Sequence, residues 1–225
     1  MRIYTIPNFI TLGNLACGMY GIQCALLGDL KMAAGMIALA MLLDFLDGFA
    51  ARILKMASPI GKELDSLADV VSFGVLPSFI LFALIQNESG KYLAFLPALF
   101  SALRLAKFNL DERQSDTFYG VPTPTNALLV AAFPFLMGGS FFAPILGDPF
   151  YWAYSMLISF LLVWDYPLLA LKFKDFSWKN NRFRYTLLLS SLVLLLSVQV
   201  SAIPFIFILY LVLSFFSNAS EKKQV

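Results

Sequence analysis

Asp44-Phe-Leu-Asp47-Gly48-Phe-Ala-Ala51-Arg52 closes one long apolar run, and after a short turn Gly61, Asp65 and Asp69 open the next. Asp44 and Asp47 are spaced i,i+3 and Asp65 and Asp69 i,i+4, so each pair projects from one face of a helix. An antiparallel hairpin sets the two pairs opposite each other, and four carboxylates converge. Left unpaired at the edge of hydrocarbon they repel one another and carry a heavy desolvation cost, so protons or cations must neutralise them. Arg52, Lys55 and Lys62 are too few and too mobile to balance four acids. The chain has no histidine, which leaves hard carboxylate oxygens as ligands, the donors that select Mg2+, Mn2+ or Ca2+. Four such residues can hold two ions a few ångströms apart, an arrangement that clamps a phosphoryl centre. Asp44, Asp47, Asp65 and Asp69 are therefore the predicted metal ligands.

Working outward, the rest of the chain reads as lipid-embedded. Of its 225 residues 60% are hydrophobic and only 13% charged, against roughly 25% charged in soluble domains. Apolar runs long enough to span a bilayer recur from end to end. The pattern predicts an all-α, polytopic membrane helix bundle with eight helices near 6–27, 31–54, 65–86, 91–109, 122–143, 150–169, 185–200 and 202–217. The last two are short and are expected to form a tight hairpin or incomplete crossings. With Arg2 inside, all of the 16 Lys and Arg residues except Lys31 and Lys91 fall on the same side. Positive-inside bias then places both termini, and the acidic hairpin, in the cytoplasm. Residues 1–217 read as one membrane domain and 218–225 as a cytoplasmic tail. The first run ends in no cleavage site and is expected to stay in place. Cys17 and Cys24 lie too far apart along one helix to bridge and read as packing residues.

These patterns also narrow the function. A net charge of +2 with no single basic face argues against nucleic acid as a partner. A proton or cation carrier would want acids along a path across the bilayer, and the later helices are expected to supply none. Gly48 and Ala51 share a stripe with Asp44, and their small size leaves a slot beside the metals, with Arg52 placed to fork onto a phosphate. Asn8 and Thr11, i,i+3 at the start of the first helix, lie level with the acids, where they can read a base or sugar or, more plainly, cap the helix.

The run from Asp44 to Arg52, eight residues, Gly61, three residues, Asp65, three residues and Asp69 resembles the signature of the CDP-alcohol phosphotransferase family at every fixed position. That resemblance implies a six-helix core, here with about two further C-terminal helices, two divalent metal ions among the four aspartates, and Asp69 as catalytic base. Within the family the chain is similar to the bacterial and archaeal phosphatidylserine synthase branch. Ile6-Pro7-Asn8-Phe9-Ile10-Thr11-Leu12-Gly13-Asn14 carries the likeness, with Glu63 to Gly74, Ala102 to Asn109 and Phe118 to Pro124. It implies CDP-diacylglycerol and L-serine as substrates, Mg2+ or Mn2+ as the metal, and a bacterial-type inner membrane as the location. CDP-diacylglycerol contacts are implied for Asn8, Thr11, Gly48, Arg52 and Ser58. The serine carboxylate needs a cation, for which Arg104 and Lys107 are the candidates; topology anchoring is their plainer role. Family members often form homodimers. The alternatives are another acceptor, glycerol 3-phosphate or inositol phosphate, and more remotely the carrier.

Overall fold

The computed structural model describes residues 3–111, 118–139, 141–170 and 177–221, and these form an all-α bundle of apolar helices. Helix α1 (Ile6–Leu26) starts where Thr5 accepts a hydrogen bond from the Asn8 amide, so Thr5, and neither Asn8 nor Thr11, is the cap. Asp29 caps α2 (Leu30–Ile53) in the same way. At the far end of α2, Lys55 turns to φ 52° and the Met56 amide reaches back to the Ala51 carbonyl at 2.9 Å, which stops the helix sharply.

The next span starts earlier than the expected 65. Ser58 accepts from the Gly61 amide, Pro59 takes the first turn, and α3 (Pro59–Asp69) is under way before the acids arrive. Its polar opening, including Lys62 and Glu63, is what hides this start from a hydrophobicity reading. A widened π-type turn, Val70–Val75, follows Asp69 and leads into α4 (Leu76–Leu84). Together they make one apolar span, Pro59–Leu84. The π turn lies against α1, where a Cβ on Gly18 would stand 2.5 Å from Ser72 Oγ and 3.0 Å from its Cα. Only glycine permits that approach.

A 3-10 turn, Lys91–Phe95, opens the fourth span and α5 (Leu96–Leu110) completes it. Helices α6 (Thr123–Leu136) and α7 (Asp148–Val163) are shorter than expected, 14 and 16 residues, or about 21 and 24 Å at about 1.5 Å per residue. Gly138 and Gly139 follow the end of α6. After α7 the chain extends, and Pro167–Leu168 pairs with Phe118–Tyr119 in an antiparallel ribbon that the sequence did not announce. This ribbon is the one sheet among the described residues.

Helices α8 (Trp178–Val198) and α9 (Ala202–Glu221) correct the expectation of a short final hairpin. At 21 and 20 residues they are about 31 and 30 Å long, enough to cross. They pack on each other across a 3-10 turn at Gln199–Ser201. Helix α8 begins before 185: the Asn181 amide and Nδ2 both donate to the Ser177 carbonyl, at 3.2 and 3.0 Å, and close the first turn, and Arg184 Nε within the charged segment donates to the Ala170 carbonyl at 2.7 Å. Helix α9 runs past 217 to Glu221, and residues 222–225 of the expected tail lie outside the described residues. Cys17 and Cys24 are free thiols, the first half-buried and the second in the core.

Candidate active site

Because the chain runs up and down, the end of α2, the start of α3, the start of α1 and the end of α5 meet at one end of the bundle. Asp44, Asp47 and Asp65 come together there, with one carboxylate oxygen from each within 4.8 Å of the others. Asp47 is buried, Asp44 and Asp65 are half-buried, and Asp65 Oδ1 is shielded without a hydrogen-bond partner. Among the described residues no lysine or arginine forms an ion pair with any of the four aspartates. Lys62, the base closest in sequence to Asp65, instead donates to the Asn109 carbonyl at 3.1 Å. Structural ion pairing therefore does not explain the acids. Clustered hard oxygens with a buried orphan among them suit a divalent cation.

Asp69 departs from the expected fourfold convergence. It is buried one turn further along and lies outside the group of three, though within electrostatic range of Asp44, Asp65 and Asp47. There it meets Asn14 of α1, whose Nδ2 donates to Asp69 Oδ1 at 3.2 Å. On the same face of α1, the Thr11 hydroxyl donates to Asp47 Oδ2 at 2.6 Å. Asn14 is the residue that reading the sequence for acids and signatures left without a role. Its signal was the i,i+3,i+6 stripe Asn8, Thr11, Asn14 in an otherwise apolar helix.

Beside the acids lies a cavity of about 340 Å3. Asn8 and Thr11, Asp47, Gly48 and Arg52, and Ser58, Gly61 and Asp65 line it, so every residue expected to hold the nucleotide lipid borders one space. The slot expected at Gly48 is present: a Cβ built there meets nothing within 4 Å. Gly61 serves closer packing, since its Cβ would lie 3.2 Å from both Asn8 Oδ1 and Ser58 Oγ. Asn8 is oriented by donating from Nδ2 to the Ile3 carbonyl at 2.8 Å.

The two expected serine contacts part company. Arg104 is 6% exposed, far from a surface anchor, and Nη1 donates to Thr123 Oγ1 at 3.3 Å while Nε is buried without a partner. It lies within electrostatic range of Asp69. Lys107 reaches outward to Asp165 at 3.2 Å, where both side chains are well exposed. Acids do occur in and beside the later helices, against expectation, but at helix ends: Glu221 is the last residue of α9, and two others flank α7. Asp148 receives the Gln86 and Asn87 amides, and Asp165 pairs with Lys107. Neither continues a path inward from the acidic cluster.

A model of the CDP-alcohol phosphatidyltransferase family matches residues 4–165, and the chain belongs to that family. Three curated relatives are CDP-diacylglycerol–serine O-phosphatidyltransferases. That of Helicobacter pylori is 33% identical over 198 residues, 85% of this chain and 82% of its own. That of Bacillus subtilis is 40% identical over 122 residues, 53% of this chain and 69% of its own. That of Methanocaldococcus jannaschii is 33% identical over 168 residues, 74% and 75% of the two chains.

Proposed function

We propose that the protein transfers the phosphatidyl group of CDP-diacylglycerol to the hydroxyl of L-serine, giving phosphatidylserine and CMP, with Mg2+ or Mn2+ held by the aspartates. The observation that carries this reading is the group of three carboxylates without a basic partner among the described residues, one oxygen of each within 4.8 Å of the others, two of which, Asp47 and Asp65, line a cavity that Asn8, Thr11, Gly48, Arg52 and Ser58 also line. The choice of serine rests on the relatives' names. Bound divalent ions supply charge neutralisation for the pyrophosphate and so make CMP a better leaving group.

The chain's own residues do the rest. Arg52 at the mouth of the cavity meets phosphate oxygens as a fork, and Asn8 and Ser58 offer amide and hydroxyl groups to the cytidine or ribose. Asp69 takes the proton from the serine hydroxyl as that oxygen attacks the lipid-bearing phosphorus. Arg104, whose buried Nε is free, receives the serine carboxylate. Lys107 takes part only by exchanging Asp165 for substrate. The acyl chains stay in the bilayer, and the Lys and Arg distribution favours a cytoplasmic site in a bacterial-type inner membrane.

The test is to supply purified protein with labelled CDP-diacylglycerol and, in turn, serine, glycerol 3-phosphate and inositol phosphate. Label should pass to serine alone; transfer to a phosphorylated acceptor in its place removes the assignment. Gly48→Leu separates the nucleotide slot from a packing role. The position is open and helical, so folding should be retained or improved, glycine being worth about 1 kcal/mol less than a good helix former. The added side chain should raise the KM for CDP-diacylglycerol at least about tenfold, equivalent to about 1.4 kcal/mol. An unchanged KM would place the substrate elsewhere.

A further inference from the structure

Asn14 is fully buried in the middle of an apolar helix, a place where a carboxamide costs stability unless its polar atoms are used. Its Nδ2 is used, on Asp69 Oδ1 at 3.2 Å, while its Oδ1 is buried without a partner. A residue kept for packing would not carry that orphan, since leucine fills the same volume with no polar atom. The orientation is dictated by chemistry, because only the NH2 edge of the amide can face an ionised carboxylate oxygen.

The backbone that carries the amide is also held in place. Ser72 Oγ donates to the Asn14 main-chain carbonyl at 2.9 Å, and Gly18, one turn on, is pressed against Ser72 with no room for a Cβ. Helix α1 therefore cannot slide or roll relative to the π turn that follows Asp69. On the same stripe Thr11 engages Asp47, so two polar side chains of α1 each fix one acid from a different helix.

We infer that Asn14 is the positioning residue for Asp69, pinning one carboxylate oxygen so that the other points at the acceptor hydroxyl; this rests on the transferase reading. Pinning one oxygen turns a group free to rotate about its last bond into a base with a fixed direction of approach.

Asn14→Leu keeps the volume and removes the donor. In micelles with CDP-diacylglycerol, serine and Mn2+, its kcat should fall about 10- to 100-fold. The KM for both substrates and the dissociation constant for Mn2+, titrated directly, should stay within about threefold of wild type. Asn14→Ala, which only removes atoms, should lose kcat to the same degree. Wild-type kcat in either variant overturns the inference, as does a loss of kcat that comes with raised KM for both substrates and a collapsed Tm, the mark of a packing role. Wild-type protein that makes no phosphatidylserine would instead defeat the transferase reading itself.

Discussion

Asp69→Asn is expected to cut phosphatidylserine formation by at least about 100-fold, the usual span for loss of a general base, with the protein still folded. Asparagine has the same shape as aspartate, and its Oδ1 can still accept from Asn14 Nδ2, so the contact that ties α3 to α1 at 3.2 Å survives. The group of three acids, Asp44, Asp47 and Asp65, is left whole. What disappears is the capacity to take a proton. Product formation by purified variant, alongside its Tm, checks this, and unimpaired turnover would refute the role given to Asp69.

Asp65→Asn should have the opposite effects on activity and on stability without metal. Asp65 has a shielded orphan oxygen, two acidic neighbours within 4.8 Å and no basic partner. Replacing one of three crowded acids relieves repulsion and a desolvation cost of about 1–3 kcal/mol, so in chelator the variant should melt several degrees above wild type. With saturating Mn2+ the order should reverse. A ligand at 100 times its Kd adds about 2.7 kcal/mol to the form that binds it, and the variant has lost part of the site. Activity should be lost in the same variant. Thermal unfolding in chelator and in Mn2+ is the measurement, and a variant that melts below wild type in chelator would mean that Asp65 is held by structural partners.

Much of this was legible from spacing alone. Asp44 and Asp47, and Asp65 and Asp69, have helical intervals, and an antiparallel hairpin has few other ways to bury them; the slot at Gly48 likewise follows from a missing side chain on a known stripe. The element ends were less legible. Helix α3 begins at Pro59, inside a polar turn, because the Ser58 hydroxyl and the proline ring start it and hydrophobicity plays no part. Helix α8 likewise starts in a polar stretch that takes in Arg182 and Arg184, its first turn closed by Asn181 on the Ser177 carbonyl, where hydrophobicity gives no signal. The partner that Asp69 meets one turn beyond Asp65 was invisible, since it is Asn14, a residue 55 positions away. The same holds for Arg104 and Lys107. Three residues apart on one helix, they look equivalent in sequence, yet one is buried against Thr123 and the other reaches outward to Asp165.

Turnover is expected to require divalent cations held by the aspartates. Protein stripped with chelator and assayed with CDP-diacylglycerol and serine tests this most directly. We predict that turnover falls to background and returns when Mg2+ or Mn2+ is added in excess. Full activity in the stripped protein, with no metal bound, would contradict it.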